Sequence, residues 1–212
     1  MQKLFGGARH VVPPVIEAAP ETRIEDAEHV LALARRRVRG GYHKRSRIIG
    51  EVAELVAEEG LDFDPVKVVD VAISEHRTEQ VDWPVLTDFD RLQTAMDAME
   101  DKGIVARDNF LCCSNCGVNE IGYEIEEFRK AGRAARGYAF FHEQDTEAAV
   151  DGGMLYLDYG NAERDYHAGR SRQIGQEVAK TLEAAGLKVE WNGDLERRVG
   201  VRMDWLRRWE QG

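Results

Sequence analysis

In the first third of the chain, apolar residues recur every three or four positions, which is the period of an amphipathic helix. Three such runs occur, Ile24 to Val38, Ile48 to Val56 and Val66 to Ile73. Thr22 with Glu25 gives a capping-box signal before the first run, and Asp64-Pro65 gives an N-cap with a first-turn proline before the third. We therefore predict a flexible arm over residues 1–21 and a helical subdomain over residues 22–82.

Beyond residue 83, helical runs alternate with short apolar runs typical of buried strands. Helices are predicted from Thr87 to Gly103, from the cysteines to Lys130, over one or two turns from Asp145, and from Ile174 to Ala185. Strands are predicted over residues 104–111, 138–142, 154–159, 187–191 and 199–202. The dipeptide Asn192-Gly193 predicts a tight hairpin between the last two strands.

This order of elements predicts an α+β fold, with an N-terminal helical part followed by a mixed β-sheet of about five strands flanked by helices. The sheet belongs to an α/β domain that we place at residues 83–212. Helical crossovers favour parallel strand pairs, whereas the last hairpin is antiparallel. Because the carboxyl ends of adjacent parallel strands share one edge of a sheet, we expect polar groups that follow such strands to meet there.

The only three cysteines of the chain fall within five residues, after a predicted strand and at the start of a predicted helix. Cys113 and Cys116 form a C-x-x-C, whose spacing lets both sulfurs turn toward one point. Zinc takes four ligands, usually thiolates and imidazoles, so these two would be the first pair. The candidates for the remaining zinc positions are Cys112, His142, Asp145 and Glu120.

Two other interpretations of the cysteine run stay open. A C-x-x-C between a strand and a helix is typical of thiol redox sites, because a helix N-terminus stabilises the thiolate. No proline follows Pro84, however, so the cis-proline of thioredoxin-like sites is lacking. The third interpretation is a packed, reduced cluster, since cysteine often behaves as a small hydrophobe.

A second polar run, from His142 to Glu147, follows an apolar strand. His142 is a candidate base or metal ligand, with Asp145 to orient its ring. Asp145 also predicts an N-cap for a helix that begins at Thr146. Neither a Walker loop nor a G-x-G-x-x-G motif occurs in the chain.

The formal net charge of -10 argues against a nucleic-acid partner, because phosphate contacts need a positive face. The arginine-rich segment 35–47 is interpreted as a solvated helix end. No run approaches the roughly 20 apolar residues that span a bilayer, so no membrane association is predicted. Neither a signal peptide nor an even set of cysteines is present, which favours the reducing cytoplasm.

Three segments together resemble a domain-of-unknown-function family that is bacterial and largely actinobacterial. They are N-F-x-C-C-x-x-C-G at residues 109–117, G-Y-x-F-F-H-x-Q-D-T-E at residues 137–147 and L-Y-L-x-Y-G at residues 155–160, with residues 83–107 in agreement. The resemblance spans about residues 25–207. It implies no activity and no catalytic residues.

Two functional hypotheses follow. The first is a binding or interaction protein with a cysteine-rich site, zinc being the only cofactor that the sequence suggests and another protein the expected partner. The alternative is a thiol- or metal-dependent enzyme that uses the edge carrying the cysteines and His142. The sequence indicates neither the substrate nor the oligomeric state.

Overall fold

The structure is a computed structural model that describes residues 20–163 and 168–210, with side chains from residue 23 onward. The helices of these residues are α1 (Pro20–Gly40), α2 (Arg45–Glu58), α3 (Pro65–Glu79), α4 (Asp88–Asp101), α5 (Ser114–Lys130), α6 (Glu143–Val150) and α7 (Ala168–Ala184), with a 3-10 turn at Gln80–Asp82. The strands are β1 (Ile104–Arg107), β2 (Gly137–Phe140), β3 (Leu155–Asn161), β4 (Lys188–Glu190) and β5 (Val199–Arg202). Most of the predicted arm, residues 1–19, lies outside the described part.

The five strands form one mixed sheet in the order β1-β2-β3-β5-β4. β1 and β2 are parallel, and every other neighbouring pair is antiparallel. The predicted α+β class, with helices first and a mixed sheet flanked by helices, is confirmed. Within the described residues, no helix combines the length and apolar character needed to cross a bilayer.

The two faces of the sheet have different covers. On one face, alternate strand residues such as Ala139 and Leu157 pack in the core with α4 and α7. On the other face, Val105 and Phe140 pack against α5. Asp158 is paired in register with Phe140, so it lies on the α5 face. Because α5 packs on β1 and β2, the polar side chain of Asp158 lies just beyond the edge of this helix.

The predicted helix caps at Asp64 and Thr87 are confirmed. The Asp64 carboxylate accepts the Val66 and Lys67 N–H groups, and Thr87 forms a capping box with Asp90. These signals are short-range, which is why the sequence carries them.

Three local predictions are wrong. α1 begins at Pro20, so Thr22 lies within its first turn and is not the N-cap. The first strand ends at Arg107 and not at residue 111, because Asn109 and Leu111 adopt positive φ and turn the chain. The tight hairpin at Asn192-Gly193 is absent.

The connection between β4 and β5 is the longer loop 191–198. A two-residue turn of the predicted type needs positive φ at both central residues, and here only Gly193 has it. The Trp191 indole N–H donates to the carbonyls of Asp194 and Arg197, which closes a wider loop. The Tyr159 hydroxyl of β3 donates to the same two carbonyls at 3.3 and 3.2 Å. A tertiary contact therefore overrides the local turn signal.

The C-terminal segment, residues 203–210, has no regular secondary structure and crosses between two hydrophobic clusters. Trp205 is buried in the cluster between the sheet and helices α4 and α7. Trp209 is buried in the cluster formed by α1, α2 and α3. We call residues 203–210 the C-terminal strap, because each cluster takes one of its tryptophans.

His76 is buried on α3 beneath this strap. Its Nε2 atom lies 3.0 Å from the Arg207 carbonyl, which identifies Nε2 as the protonated nitrogen. Among the residues that the structure describes, its Nδ1 atom has no hydrogen-bond partner, and the nearest Glu79 oxygen is 4.0 Å away. Burial lowers the pKa of His76 below its ordinary value of 6.5.

We expect His76 to make the protein less stable in mild acid. In the unfolded chain the imidazole takes a proton near pH 6.5, whereas in the folded chain it does so only at lower pH. The contribution of His76 to the free energy of unfolding is therefore fully present above pH 6.5. It is lost as the pH falls from 6.5 through the lower pKa of the folded state, by about 1.4 kcal/mol for each pH unit between the unfolded and the folded pKa. Urea unfolding at pH 7.5 and pH 5 should show a smaller loss for His76→Gln than for the wild type. Equal losses in both proteins would contradict this assignment.

Candidate functional site

The two polar segments that the sequence singled out leave the sheet at one edge. β1 and β2 are parallel with Arg107 opposite Phe140, so the chain emerges from both strands on the same side. The cysteine loop, residues 108–113, follows β1. His142 follows β2 and precedes α6.

Helix α6 and the end of β2 fix the shape of the cysteine loop. Phe110 donates its N–H to the Phe141 carbonyl at 2.8 Å, and the Glu143 N–H donates to Leu111 at 2.9 Å. The Thr146 hydroxyl donates to Asn109 Oδ1 at 2.7 Å. Between these contacts the backbone takes φ of 46° at Asn109 and 60° at Leu111.

Leu111 is an uncommon residue in the left-handed region, where its Cβ approaches the following carbonyl at a cost of roughly 1–2 kcal/mol. The surrounding hydrogen bonds hold it there. Such imposed conformations are concentrated at functional sites. The loop thus delivers Cys112 to the start of α5 in a fixed position.

The three cysteine sulfurs converge at this helix start. Cys112 Sγ lies 3.4 Å from Cys116 Sγ and 3.8 Å from Cys113 Sγ, and all three lie within 4.8 Å of one another. The thiols are free, with Cys112 exposed and the other two half-buried. No disulfide joins them, since bonded sulfurs are about 2.05 Å apart. We call Cys112, Cys113 and Cys116 the thiol cluster.

The pKa values of the cluster are pushed in opposite directions. The pKa of Cys113 is lowered, first by the backbone N–H of Cys116 and then by the neighbouring thiols. Cys113 is the N-cap of α5, but its side chain makes no capping hydrogen bond of ordinary geometry. The backbone N–H of Cys116 therefore stabilises the Cys113 thiolate by electrostatic attraction. The pKa of Cys116 is raised to about 11, chiefly through the thiols of Cys112 and Cys113. The first proton therefore leaves the cluster readily and the last one with difficulty.

Beside the thiol cluster lies a group of charged side chains centred on Arg198. Its guanidinium donates to both carboxylate oxygens of Asp145 at 2.9 Å and to Asp158 Oδ2 at 3.2 Å. The side chains of Asp145 and Asp158 are only 5% and 14% exposed. We call His142, Asp145, Asp158 and Arg198 the Arg198 network.

His142 belongs to this network and caps α6. Its Nδ1 atom accepts the Asp145 N–H at 3.3 Å, and the Asp145 carboxylate accepts the His142 N–H at 3.2 Å. The prediction of Asp145 as N-cap is wrong by three residues, because His142 is the cap and Asp145 completes its capping box. The other ring nitrogen, Nε2, lies 3.0 Å from Asp145 Oδ2 and 3.2 Å from Arg198 Nη1. Burial lowers the pKa of His142, against the opposing charge of Asp145.

The Arg198 network has three groups of the types that bind metals, His142, Asp145 and Asp158. The Nη1 atom of Arg198 already lies 2.9 Å from Asp145, 3.2 Å from Asp158 and 3.2 Å from His142 Nε2. A guanidinium therefore takes the place that a cation would need. Because Arg198 satisfies both carboxylates, we interpret this group as a structural ion network.

One hydrogen bond joins the network to the thiol cluster. The hydroxyl of Ser114, the residue after Cys113, donates to Asp158 Oδ1 at 2.9 Å. His142 and Asp145 themselves lie outside the group of sulfurs. Sequence reasoning missed Asp158 and Arg198, although an aspartate within the apolar run 154–159 was a visible signal.

Two grooves lie beside the sheet, and neither is lined by a thiol or by His142. One, of about 540 Å³, runs along α5 and the end of β3. The other, of about 660 Å³, is lined by Tyr156, Trp191 and Arg198 among others. The arrangement that an enzyme of this edge would need, an open concavity shared by a thiol and His142, is not met by either groove.

The arginine-rich segment is engaged within the chain. Six of its arginines form ion pairs: Arg35 with Glu75, Arg36 with Asp151, Arg37 with Glu51, Arg39 with Glu79, Arg45 with Asp70 and Arg47 with Glu51. Most of its positive charge is thus neutralised by neighbouring carboxylates. The absence of a nucleic-acid partner stays a prediction.

The chain belongs to the family described as Domain of unknown function (DUF6891), whose model matches residues 23–209. The resemblance to a domain-of-unknown-function family is thereby confirmed. No curated protein and no solved structure is detectably similar to the chain.

Proposed function

We propose that this protein is a zinc-binding protein whose ion is held by the thiolates of Cys112, Cys113 and Cys116 at the start of α5. A family of unknown function brings no activity with it, so the proposal depends on the geometry of these side chains. Its place in the fold and its chemistry each support it.

The spacing of the sulfurs is the observation that carries the proposal. Ligands at a zinc–sulfur distance of about 2.3 Å on a tetrahedron are about 3.8 Å from one another. The two sulfur–sulfur distances from Cys112 are 3.4 and 3.8 Å, and all three sulfurs lie within 4.8 Å of one another. Small side-chain movements would therefore bring all three thiolates to one ion.

The electrostatics of the cluster favour a cation. Near neutral pH, three thiols held this close do not all lose their protons unless a cation binds, because the other two thiols raise the pKa of Cys116 to about 11. Thiolates are soft ligands that select zinc and Cu(I) over magnesium or calcium. In a reducing cytoplasm, where we place the protein, the thiols would stay available.

A binding role is better supported than a catalytic one. Both ring nitrogens of His142 have partners in the Arg198 network, the Asp145 N–H at Nδ1 and Arg198 at Nε2, so this imidazole is not free to act on a group bound at the thiols. Neither groove beside the sheet brings a thiol and His142 together. The ion would instead stabilise the cysteine loop and present it to a protein partner.

The proposal is tested by metal content. The protein, purified without chelators under reducing conditions, should contain about one zinc per chain by elemental analysis. Cys113→Ser and Cys116→Ser should each weaken zinc binding by more than about a hundredfold in competition with a chromophoric chelator. Even the loss of a group that only hydrogen-bonds a metal ligand lowers metal affinity about 10- to 100-fold.

Glu120→Gln is the matched control, because Glu120 lies on the exposed face one turn from Cys116 and outside the thiol cluster. It should bind zinc as the wild type does, and far-UV circular dichroism should show all variants folded. A wild-type protein without zinc, which takes none up on titration, would refute the proposal.

A second candidate function is thiol exchange. The observation in its favour is the lowered pKa of Cys113 in an exposed cluster, with Cys112 Sγ only 3.4 Å from Cys116 Sγ. It would be preferred if the metal-free protein formed an intramolecular disulfide with oxidised glutathione, releasing two glutathione thiols for each bond formed.

A further inference from the structure

We infer that the zinc ion has an open fourth position, which takes a neutral nitrogen donor from outside the chain. This inference rests on the proposed function and names the ligand class of the same site. It follows from the donor atoms around the sulfurs, from the fixed position of the neighbouring carboxylates, from the exposure of the cysteines and from the net charge of the site.

The described part of the chain supplies no fourth donor to the thiol cluster. No histidine, aspartate or glutamate atom joins the three sulfurs within 4.8 Å among the described residues. A site with three protein ligands leaves its fourth position to water or to an added molecule, whereas a structural zinc site has four protein ligands.

The carboxylates of the Arg198 network are held by their own hydrogen bonds, so they are not free to become the fourth zinc ligand. Asp158 accepts from Ser114 through Oδ1 and from Arg198 through Oδ2, so binding to zinc would break at least one of these bonds. Asp145 has both oxygens on Arg198. Losing either carboxylate would leave the partly buried guanidinium with one counter-charge fewer.

The fourth position is also accessible. Cys112 is exposed, and Cys113 and Cys116 are half-buried. Leu111, which precedes the cluster, is itself 41% exposed. A donor from solvent or from another protein can therefore approach the cluster without any rearrangement of the core.

Charge decides the kind of donor. Three thiolates and one zinc ion sum to a charge of -1, and Asp145, Asp158 and Arg198 beside them sum to -1 again. An anionic ligand would add a second negative charge to the site at close range, whereas an imidazole adds none.

The test uses the full chain loaded with Co2+, whose visible bands report its ligands. Imidazole should shift these bands along a single-site binding curve, and azide should bind at least about tenfold more weakly because of the charge it adds. Glu127→Gln, an exposed position near the other end of α5, should behave as the wild type does.

The outcomes separate the two proposals. Failure to bind Co2+ through thiolates would refute the zinc proposal itself. Thiolate-bound Co2+ whose spectrum is unchanged by imidazole, or already shows three thiolates and a nitrogen donor, would refute only the open position. Azide binding as tightly as imidazole would refute the choice of a neutral donor.

Discussion

Replacing Trp205 by alanine is expected to lower the free energy of unfolding by about 3–5 kcal/mol, the range for removing a large buried aromatic side chain. Trp205 is only 9% exposed. Its ring meets Phe89 at a centroid distance of 5.1 Å and Phe141 at 6.1 Å, both edge-to-face. The substitution would therefore leave a cavity among aromatic rings that cannot readily collapse.

Trp205 also has a polar role that alanine cannot replace. Its indole N–H donates to the Arg39 carbonyl at 3.1 Å, at the end of α1. Two residues further along the strap, the Arg207 guanidinium lies 3.7 Å from the Tyr42 ring centre. Loss of Trp205 should thus loosen the contact between the N-terminal helices and the sheet as well as the core itself.

Urea unfolding followed by far-UV circular dichroism measures this effect. Tyr123→Ala is the control, because Tyr123 is 72% exposed on α5 and its loss should change stability by no more than about 0.5 kcal/mol. The lower end of the usual range is about 3 kcal/mol. If Trp205→Ala lowers the free energy of unfolding by less than about 1.5 kcal/mol, half of that value, the strap is not part of the core.

Replacing Asp145 by alanine is expected to destabilise the protein by about 3 kcal/mol, the lower part of the range for breaking a buried ion pair. The lower part applies because the Arg198 side chain is 31% exposed and water screens its charge in part. Asp145 itself is 5% exposed and holds both the guanidinium and the His142 N–H. Alanine would leave the His142 N–H and Arg198 Nη2 without these acceptors, and Asp158 would remain as the acceptor of Nη1.

Asp151→Ala is the matched control, at the other end of α6. Asp151 pairs with Arg36 at 3.2 Å, but its side chain is 55% exposed, so its loss should cost no more than about 1 kcal/mol. Chemical unfolding of both variants at pH 7 compares their free energies of unfolding.

A second measurement follows the alkylation of the cysteine thiols. Because α6 holds the cysteine loop, Asp145→Ala should also raise the rate of thiol alkylation. Equal stabilities of the two variants would contradict the buried-pair assignment.

The parts of the fold that the sequence predicted depend on contacts between near neighbours. The N-cap at Asp64 and the capping box of Thr87 with Asp90 are examples, since each joins residues two or three apart. The strand over residues 199–202 was likewise evident from its apolar run. The prediction of a hairpin at residues 192–193 failed because the wider loop is held to β3, where the Tyr159 hydroxyl donates to the carbonyls of Asp194 and Arg197.

For the site, the sequence by itself determined that Cys113 and Cys116 would turn toward one point at a helix start, because their C-x-x-C spacing allows it. That Cys112 joins them was decided by the tertiary structure, in which all three sulfurs lie within 4.8 Å of one another. Only the tertiary structure decided what surrounds them. Ser114 meets Asp158 across 44 residues, and Arg198 meets His142 across 56. Such contacts depend on the strand order β2-β3-β5, which a pattern of apolar residues does not encode, since any order of the same strands would bury the same surface.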